Sequence, residues 1–310
     1  MMNDTTKNEL KEKFSDVHFN EPLKKHTSFR TGGDAEVFIK PTSIKEFAEI
    51  ISYINIKNIP LLVIGSGTNL LVKDNGVKGV VLSTKDLKEK KIVKSEGVNT
   101  YILATAGIRT QTMCNFAIEN SLKGMNFAVG IPGTIGGAVW MNAGTQMGSM
   151  EDVIHSVKFI TDKGDLIEMK KEELKFFYRK LSLTHLNKTY ENLIIADVSL
   201  KLKAGDSKSL KKESQELFKK RKENQPLSYP NGGSFFKNPS EKPAGMLIDL
   251  CGLKGLKVGG AMVSNKHANF IINSSDATTN DILDLASIIK EKVYERFQIN
   301  LKEEVQIVGS

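Results

Sequence analysis

The sequence predicts an α+β protein in about three modules. Short apolar runs of strand length are separated by a few amphipathic stretches at helical spacing, and no internal repeat or low-complexity tract interrupts them. The pattern changes character near Lys91 and again at Ala204-Gly-Asp-Ser207, a polar stretch suited to a boundary. The length of 310 residues fits two domains of ~150 residues or three small ones.

Taken in order, Met1 to Lys13 is a polar leader with no apolar core of a signal peptide. Ala35 to Lys40 then reads as a strand stopped by Pro41. Ser43 and Glu46 form a capping-box pair ahead of Ile44, Phe47, Ile51 and Ile54, so a helix runs to about Lys57. Leu61 to Ile64 is a buried strand ending in Gly65-Ser-Gly-Thr-Asn-Leu70, and Lys78 to Leu82 follows. Together these make a β-α-β-β unit with a glycine turn after its central strand. Shorter strands come next, Lys91 to Ser95 and Asn99 to Ala104. A helix from Thr110 to Leu122 has Gly124 as its expected C′ residue. The segment Gly130 to Gly144 is dense in glycine. Val157 to Thr161 and Leu166 to Met169 flank a hairpin signal at Asp162-Lys-Gly164, and Leu193 to Leu202 closes the region. Beyond the boundary lie a basic helix from Lys208 to Lys222, a loop from Gln225 to Asn238 and a short helix over Ala244 to Leu250. A strand over Ala268 to Asn273 precedes a long helix with Ile282, Leu285, Ile288, Ile289, Val293 and Phe297 on one stripe. A final strand covers Glu303 to Val308.

Composition narrows the function classes. Hydrophobic residues at 40% and charged residues at 26% are ordinary globular usage, which excludes wholesale disorder. Cys114 and Cys251 stand far apart, so neither a disulfide scaffold nor a cysteine zinc site is built, and a reducing cytoplasm suits the chain. No apolar run approaches the ~18 residues of a spanning helix, so no membrane insertion is expected. The net charge of +8 is the oddity. Many lysines alternate with acids, as in Lys85 to Glu96, and aromatics are only 7%, which argues for a solvated surface rather than a nucleic-acid face. His18, His155 and His185 show no metal-ligand spacing, and Cys114 sits in an amphipathic helix as a core residue.

Two segments carry chemistry. Gly65-Ser-Gly-Thr-Asn69, directly after a buried strand, offers backbone N–H groups of the kind that cradle phosphate oxygens. It lacks the lysine of a P-loop and the third glycine of a Rossmann fingerprint. In the second segment Gly130, Gly133, Gly136, Gly137 and Gly144 lie among Ile131, Ala138, Val139 and Trp140. Each interior glycine costs about 0.5–1 kcal/mol relative to alanine, so a plain helix or strand there is unfavourable without compensation. Close passage of backbone against a flat ring or a pyrophosphate supplies it, and two such loops predict a bound dinucleotide.

Gly65-Ser-Gly-Thr-Asn-Leu70, Gly130 to Ala138 and Met141-Asn-Ala-Gly144 resemble the flavin-binding segments of the UDP-N-acetylenolpyruvoylglucosamine reductases. So do His26 to Gly33, Tyr178-Arg179, Gln225-Pro-Leu227, Gly233 to Pro239, Ser264 to Ala268 and Glu303-Glu-Val305, in order along nearly the whole chain. The resemblance implies an FAD enzyme of peptidoglycan precursor synthesis that uses NADPH to reduce UDP-GlcNAc-enolpyruvate to UDP-N-acetylmuramate. It implies a fold of the vanillyl-alcohol-oxidase-like type, with two α+β subdomains clasping FAD and a third domain over the substrate, in the form lacking an inserted substrate loop. The expected divisions are residues 1–82, completed by 303–310, then 83–205, then the substrate domain at 206–302. No obligate protein partner and no nucleic acid are expected.

The same resemblance assigns roles. Arg179 and Glu304 stabilise an enolate, and Ser234 gives the proton to C2. Gly65, Ser66, Gly67, Thr68 and Asn69, with Gly130, Pro132, Gly133, Thr134, Gly136 and Gly137, contact FAD. Tyr178, Lys222 and Asn238 contact substrate, with Lys237 a weaker candidate, while His26 and His267 are structural. The chain departs from the pattern at Gln306, where many relatives have Arg. It departs again at Asn231-Gly-Gly-Ser234, where Ser-Ala-Gly-Ser is common, and slightly at Tyr178 to Ser182.

Overall fold

A computed structural model describes residues 2–183 and 192–310. The first sheet has the strand order Val17–Pro22, Asp34–Ile39, Val77–Ser83, Leu61–Ile64. The last three run parallel, and Val17–Pro22 is antiparallel to Asp34–Ile39. The helix Ile44–Ile56 makes the crossover, with Ser43 accepting from the Glu46 N–H as its spacing predicts. Phe47, Ile50, Ile51 and Ile54 from that helix pack with Val37, Ile39, Val80 and Leu82 of the sheet.

Two features of this region differ from the sequence reading. The polar leader forms a helix, Asp4–Lys13, capped by Asn3, followed by the strand Val17–Pro22. Among the described residues Leu10 and Phe14 are its buried members of the core cluster, with Met2 packed against it, too few apolar positions to produce a periodic signal. Leu61–Ile64 is also an edge strand of the sheet rather than a central one. The glycine loop that leaves it therefore opens beside the sheet, where another module can reach it.

The second sheet is antiparallel, in the order Leu166–Lys170, Ile154–Ile160, Ile194–Ala204, Asn99–Thr105, Lys90–Glu96. The expected hairpin at Asp162-Lys-Gly164 is present. Helices Thr110–Glu119 and Ile135–Trp140 cover the sheet, joining Met113, Cys114, Ile135 and Val139 to Val157, Val198 and Leu200 in one core. The first helix ends earlier than Gly124 suggests. Asn120 is its C-cap and Ser121 takes φ +56°, because Leu122–Lys123 must turn back to pair with Ile194–Ala204. The glycine-rich segment likewise contains a short helix, Ile135–Trp140, capped by Thr134. Its glycine cost is compensated by close packing: a Cβ at Gly136 would lie 2.8 Å from Ala106 Cβ.

The C-terminal region surrounds a separate core in which Phe29, Phe235, Phe236, Leu247, Ile282, Ile289 and Val293 meet. The helices Ala244–Leu250 and Thr279–Phe297 and a small sheet, Lys257–Val258, Ala261–Val263, Ile271–Asn273, form it, while the helix Ser207–Asn224 packs on the second region, with Leu217 against the core of that region and Arg221 bonded to Val129 O. The expected strands at 268–273 and 303–308 shorten to Ile271–Asn273 and Gln306–Val308, since their first residues bond irregular chain instead. Gln306–Val308 pairs in parallel with Leu70–Val72, so the end of the chain lies beside the first glycine loop. Asp74 then ties the first region to the third, accepting from the Thr279 N–H at 3.0 Å and the Asn280 N–H at 3.2 Å. Among the described residues no helix is long and apolar enough to cross a membrane.

Candidate active site

The loop after Leu61–Ile64 is held by its carbonyls. Ser28 N–H and Oγ–H donate to Gly67 O, Ser28 Oγ–H also reaches Thr68 O, and Gln306 N–H donates to Asn69 O at 2.9 Å. Among the described residues the N–H groups of Ser66, Gly67 and Thr68 have no acceptor. A backbone with its carbonyls engaged and its amides free is a concave donor surface for anionic oxygens.

The second glycine segment closes on the first. Thr68 Oγ–H donates to Pro132 O at 3.3 Å. Gly65 approaches Thr134 so closely that a Cβ would lie 2.3 Å from Thr134 Oγ1. Thr134 Oγ1 in turn caps the short helix by accepting from the Gly137 N–H at 3.4 Å. Both loops border one cavity of about 510 Å³, whose apolar walls include Ile131, Ala138, Trp140, Leu193 and Ile195. Free backbone amides beside an apolar slot fit a group that is part pyrophosphate and part flat ring. Of the residues the sequence reading assigns to FAD, Gly65 to Asn69, Pro132, Gly133, Thr134, Gly136 and Gly137 line that cavity. Gly130 does not. It sits behind the wall, its N–H donating to Gln111 Oε1 at 3.1 Å.

Arg179, Ser234 and Glu304 reach the same cavity from three directions. Arg179 lies in the two-residue turn between Lys175–Phe177 and Lys180–Ser182, at φ +58°. From there its Nε donates to Glu304 Oε1 at 2.7 Å and its Nη2 to Gly144 O at 3.4 Å. The pair is mostly enclosed, with side-chain exposures of 24% and 14%. Burial pushes the Glu304 carboxyl above the ordinary carboxylate range, and the Arg179 charge only partly offsets it. The Ser234 hydroxyl bonds to no other described side chain.

The structure does not bring the three expected substrate contacts into this lining. The Tyr178 ring is half-exposed and packs on the Arg179 guanidinium, 4.8 Å from centroid to carbon. Asn238 is exposed, and its Oδ1 accepts from the Ala244 N–H at the start of a helix. Lys222 is exposed, one residue past Arg221 on the helix Ser207–Asn224, and the 100° step per residue turns it away. Arg221 is the cation that lines the cavity instead. Its Nη1 donates to Val129 O at 2.9 Å, it has no carboxylate partner among the described residues, and burial with the nearby Arg179 charge lowers its pKa. The helix pattern held a signal for it, because Leu210, Leu217 and Arg221 share one stripe, and a cation on an apolar stripe faces inward for a reason.

The histidines take structural positions. His26 Nε2 pairs with Glu21 at 2.9 Å and its ring stacks on Phe38, while His267 Nδ1 accepts from the Asn269 N–H at 3.2 Å. Burial lowers the pKa of both rings. His18 bonds Asp16, His155 packs edge-on to Tyr101, and His185 lies outside the described residues. Cys114 is buried, its thiol pushed up to about 12 by burial.

The family model of the UDP-N-acetylenolpyruvoylglucosamine reductase C-terminal domain matches residues 225–308, and an FAD binding domain model matches residues 35–170. The chain is 42% identical over 294 residues to the UDP-N-acetylenolpyruvoylglucosamine reductase of Syntrophomonas wolfei subsp. wolfei, covering 94% of this chain and 95% of the relative. It is 41% identical over 293 residues to the enzyme of that name from Caldanaerobacter subterraneus subsp. tengcongensis, with 94% of each covered. Among solved structures, the UDP-N-acetylenolpyruvylglucosamine reductase of Thermus caldophilus superposes with a TM-score of 0.77 at 32% identity, over 95% of this chain and 98% of that one. The α+β fold with an FAD-binding domain, expected from the sequence, holds.

Proposed function

The chain belongs to the UDP-N-acetylenolpyruvoylglucosamine reductases, FAD-dependent oxidoreductases of peptidoglycan synthesis, and from that premise we propose what its own residues do in the reaction. The substrate is UDP-GlcNAc-enolpyruvate and the reductant NADPH. FAD, when bound, supplies the redox chemistry, carrying hydride from NADPH to C3 of the enolpyruvyl ether.

The backbone amides of Ser66, Gly67 and Thr68, with the facing loop at Pro132 to Thr134, hold the pyrophosphate of FAD. Hydride addition at C3 leaves negative charge on C2 and the adjoining carboxylate. Arg179 binds that charge with a guanidinium that stays protonated. Glu304 orients Arg179 by accepting from its Nε at 2.7 Å, and burial holds the Glu304 carboxyl above the ordinary carboxylate range. Ser234 delivers the proton to C2. A serine hydroxyl is a weak acid, but an enolate is a strong enough base to take its proton. Arg221 meets a second anionic group of the substrate.

One observation carries this reading. Arg179 and Glu304, 125 positions apart, bond at 2.7 Å on the wall of the cavity that both glycine loops and Ser234 border. The division into an FAD-binding part at 1–82 with 303–310, a second at 83–205 and a substrate part at 206–302 belongs to the same proposal. The pairing of Gln306–Val308 with Leu70–Val72 supports it. A cytoplasmic setting, with reduced Cys114 and Cys251, is proposed with it.

The test is NADPH oxidation with and without UDP-GlcNAc-enolpyruvate, followed by the separate half-reactions of Ser234→Ala. We expect this variant to bleach its flavin with NADPH at the parent rate. Reoxidation by substrate should slow by about 10²–10⁴-fold. Reoxidation at the parent rate would remove Ser234 from its role.

A further inference from the structure

We propose that Asn269 is the positioning residue that holds Ser234 and Glu304 in register, an inference that rests on the roles given to those two residues above. Ser234 is followed by Phe235 and Phe236, both fully buried, in a stretch outside any regular strand. Buried backbone groups need partners, and an irregular stretch has no ladder to supply them. Asn269, itself 3% exposed, takes the place of the missing strand. Its backbone carbonyl accepts from the Phe235 N–H at 2.7 Å. Its side-chain Oδ1 accepts from the Phe236 N–H at 2.9 Å, and its Nδ2 donates to Phe236 O at 2.8 Å. The remaining group, Phe235 O, accepts from the Glu304 N–H at 2.8 Å.

The peptide next to Ser234 is therefore fixed on one side by Asn269 and on the other by Glu304. Asn269 is fixed in turn, because its own N–H donates to His267 Nδ1. Only a side-chain amide satisfies both groups of Phe236 at once, since a carboxylate lacks the donor and a hydroxyl lacks the reach. A shift of ~1 Å at a catalytic group costs up to about 10²-fold in rate. Asn269 is not itself among the residues that line the cavity, and the lining groups its hydrogen bonds bear on are Ser234, through the following two residues, and Glu304, through Phe235 O.

The experiment uses the FAD-loaded enzyme and Asn269→Asp, alone and in the Ser234→Ala background. In the parent background, reoxidation by UDP-GlcNAc-enolpyruvate should slow about 10–100-fold. Bleaching by NADPH should stay within about 2-fold of the parent. In the Ser234→Ala background the further slowing should be under about 3-fold, because residues acting as one unit are not additive. Equal slowing of both half-reactions, or the same factor in both backgrounds, would overturn the proposal. Asn269→Ser, which removes the amide without adding charge, is the second variant, and failure of both to retain FAD would also overturn it by making Asn269 a folding residue. Ser234→Ala alone reports on the underlying roles, so their failure is read separately from that of Asn269.

Discussion

Gly65→Ala isolates the contact that joins the two glycine loops. The new Cβ would lie 2.3 Å from Thr134 Oγ1 and 3.2 Å from its Cγ2, where ordinary contact begins near 3.4 Å, so Thr134 must retreat by about 1 Å. Gly65 does not take a positive φ, so the effect is steric and not a matter of backbone strain. Thr134 is 2% exposed and has little room to move. Overpacking of this kind costs about 1–3 kcal/mol. The retreat also lifts Thr134 Oγ1 from the Gly137 N–H, a cap worth about 1 kcal/mol. The expected loss of stability is therefore about 2–4 kcal/mol. If half of it falls on the cradle, FAD affinity weakens roughly 5–30-fold at 1.4 kcal/mol per decade. Urea unfolding of the apoprotein and titration of FAD by flavin fluorescence measure the two separately. Adding Thr134→Ala to Gly65→Ala removes the colliding atoms and should recover most of the affinity lost to the collision, leaving only the missing cap. FAD binding by Gly65→Ala within about 2-fold of the parent would refute this account of the loop contact.

Two further outcomes follow from the same geometry. Glu304 binds its proton more tightly folded than unfolded, so its contribution to stability is fullest below the unfolded value of about 4.3 and is lost as pH rises through the raised folded value. Glu304→Gln should remove that slope, and a parent-minus-variant unfolding free energy that stays flat from about pH 4 to 8 would contradict it. Asp74→Ala removes two acceptors from the start of the helix Thr279–Phe297 and should cost about 1 kcal/mol in urea unfolding. Raising the salt to ~1 M should shrink that cost, and Asp74→Asn should fall between the two.

Local patterns were legible where one segment decides its own conformation. The capping pair Ser43 and Glu46, the alternation around Asp162-Lys-Gly164 and the stripe from Ile282 to Phe297 all gave elements at the expected places. The glycine segments were legible because glycine so placed is unfavourable unless something approaches closely. Arg179, Ser234 and Glu304 were legible only through the resemblance, since each side chain alone is ordinary. The leader helix was not legible, because its buried apolar residues, Leu10 and Phe14, are too few for a periodic pattern and its Glu9 finds Tyr53 and Lys57 only in the folded chain.

By itself, the sequence determined the element types, the glycine loops and the family to which the chain belongs, all of which rest on local chemistry or on ordered motifs. The tertiary structure decided which cation faces the cavity. Arg221 and Lys222 are neighbours of like charge, and only the packing of Leu210 and Leu217 turns one inward and leaves the other in water. It also decided that burial raises the Glu304 pKa and that Asn269 stands in for a strand beside Ser234. Desolvation and long-range hydrogen bonding depend on what surrounds a group, and those surroundings come from residues 33 to 125 positions away.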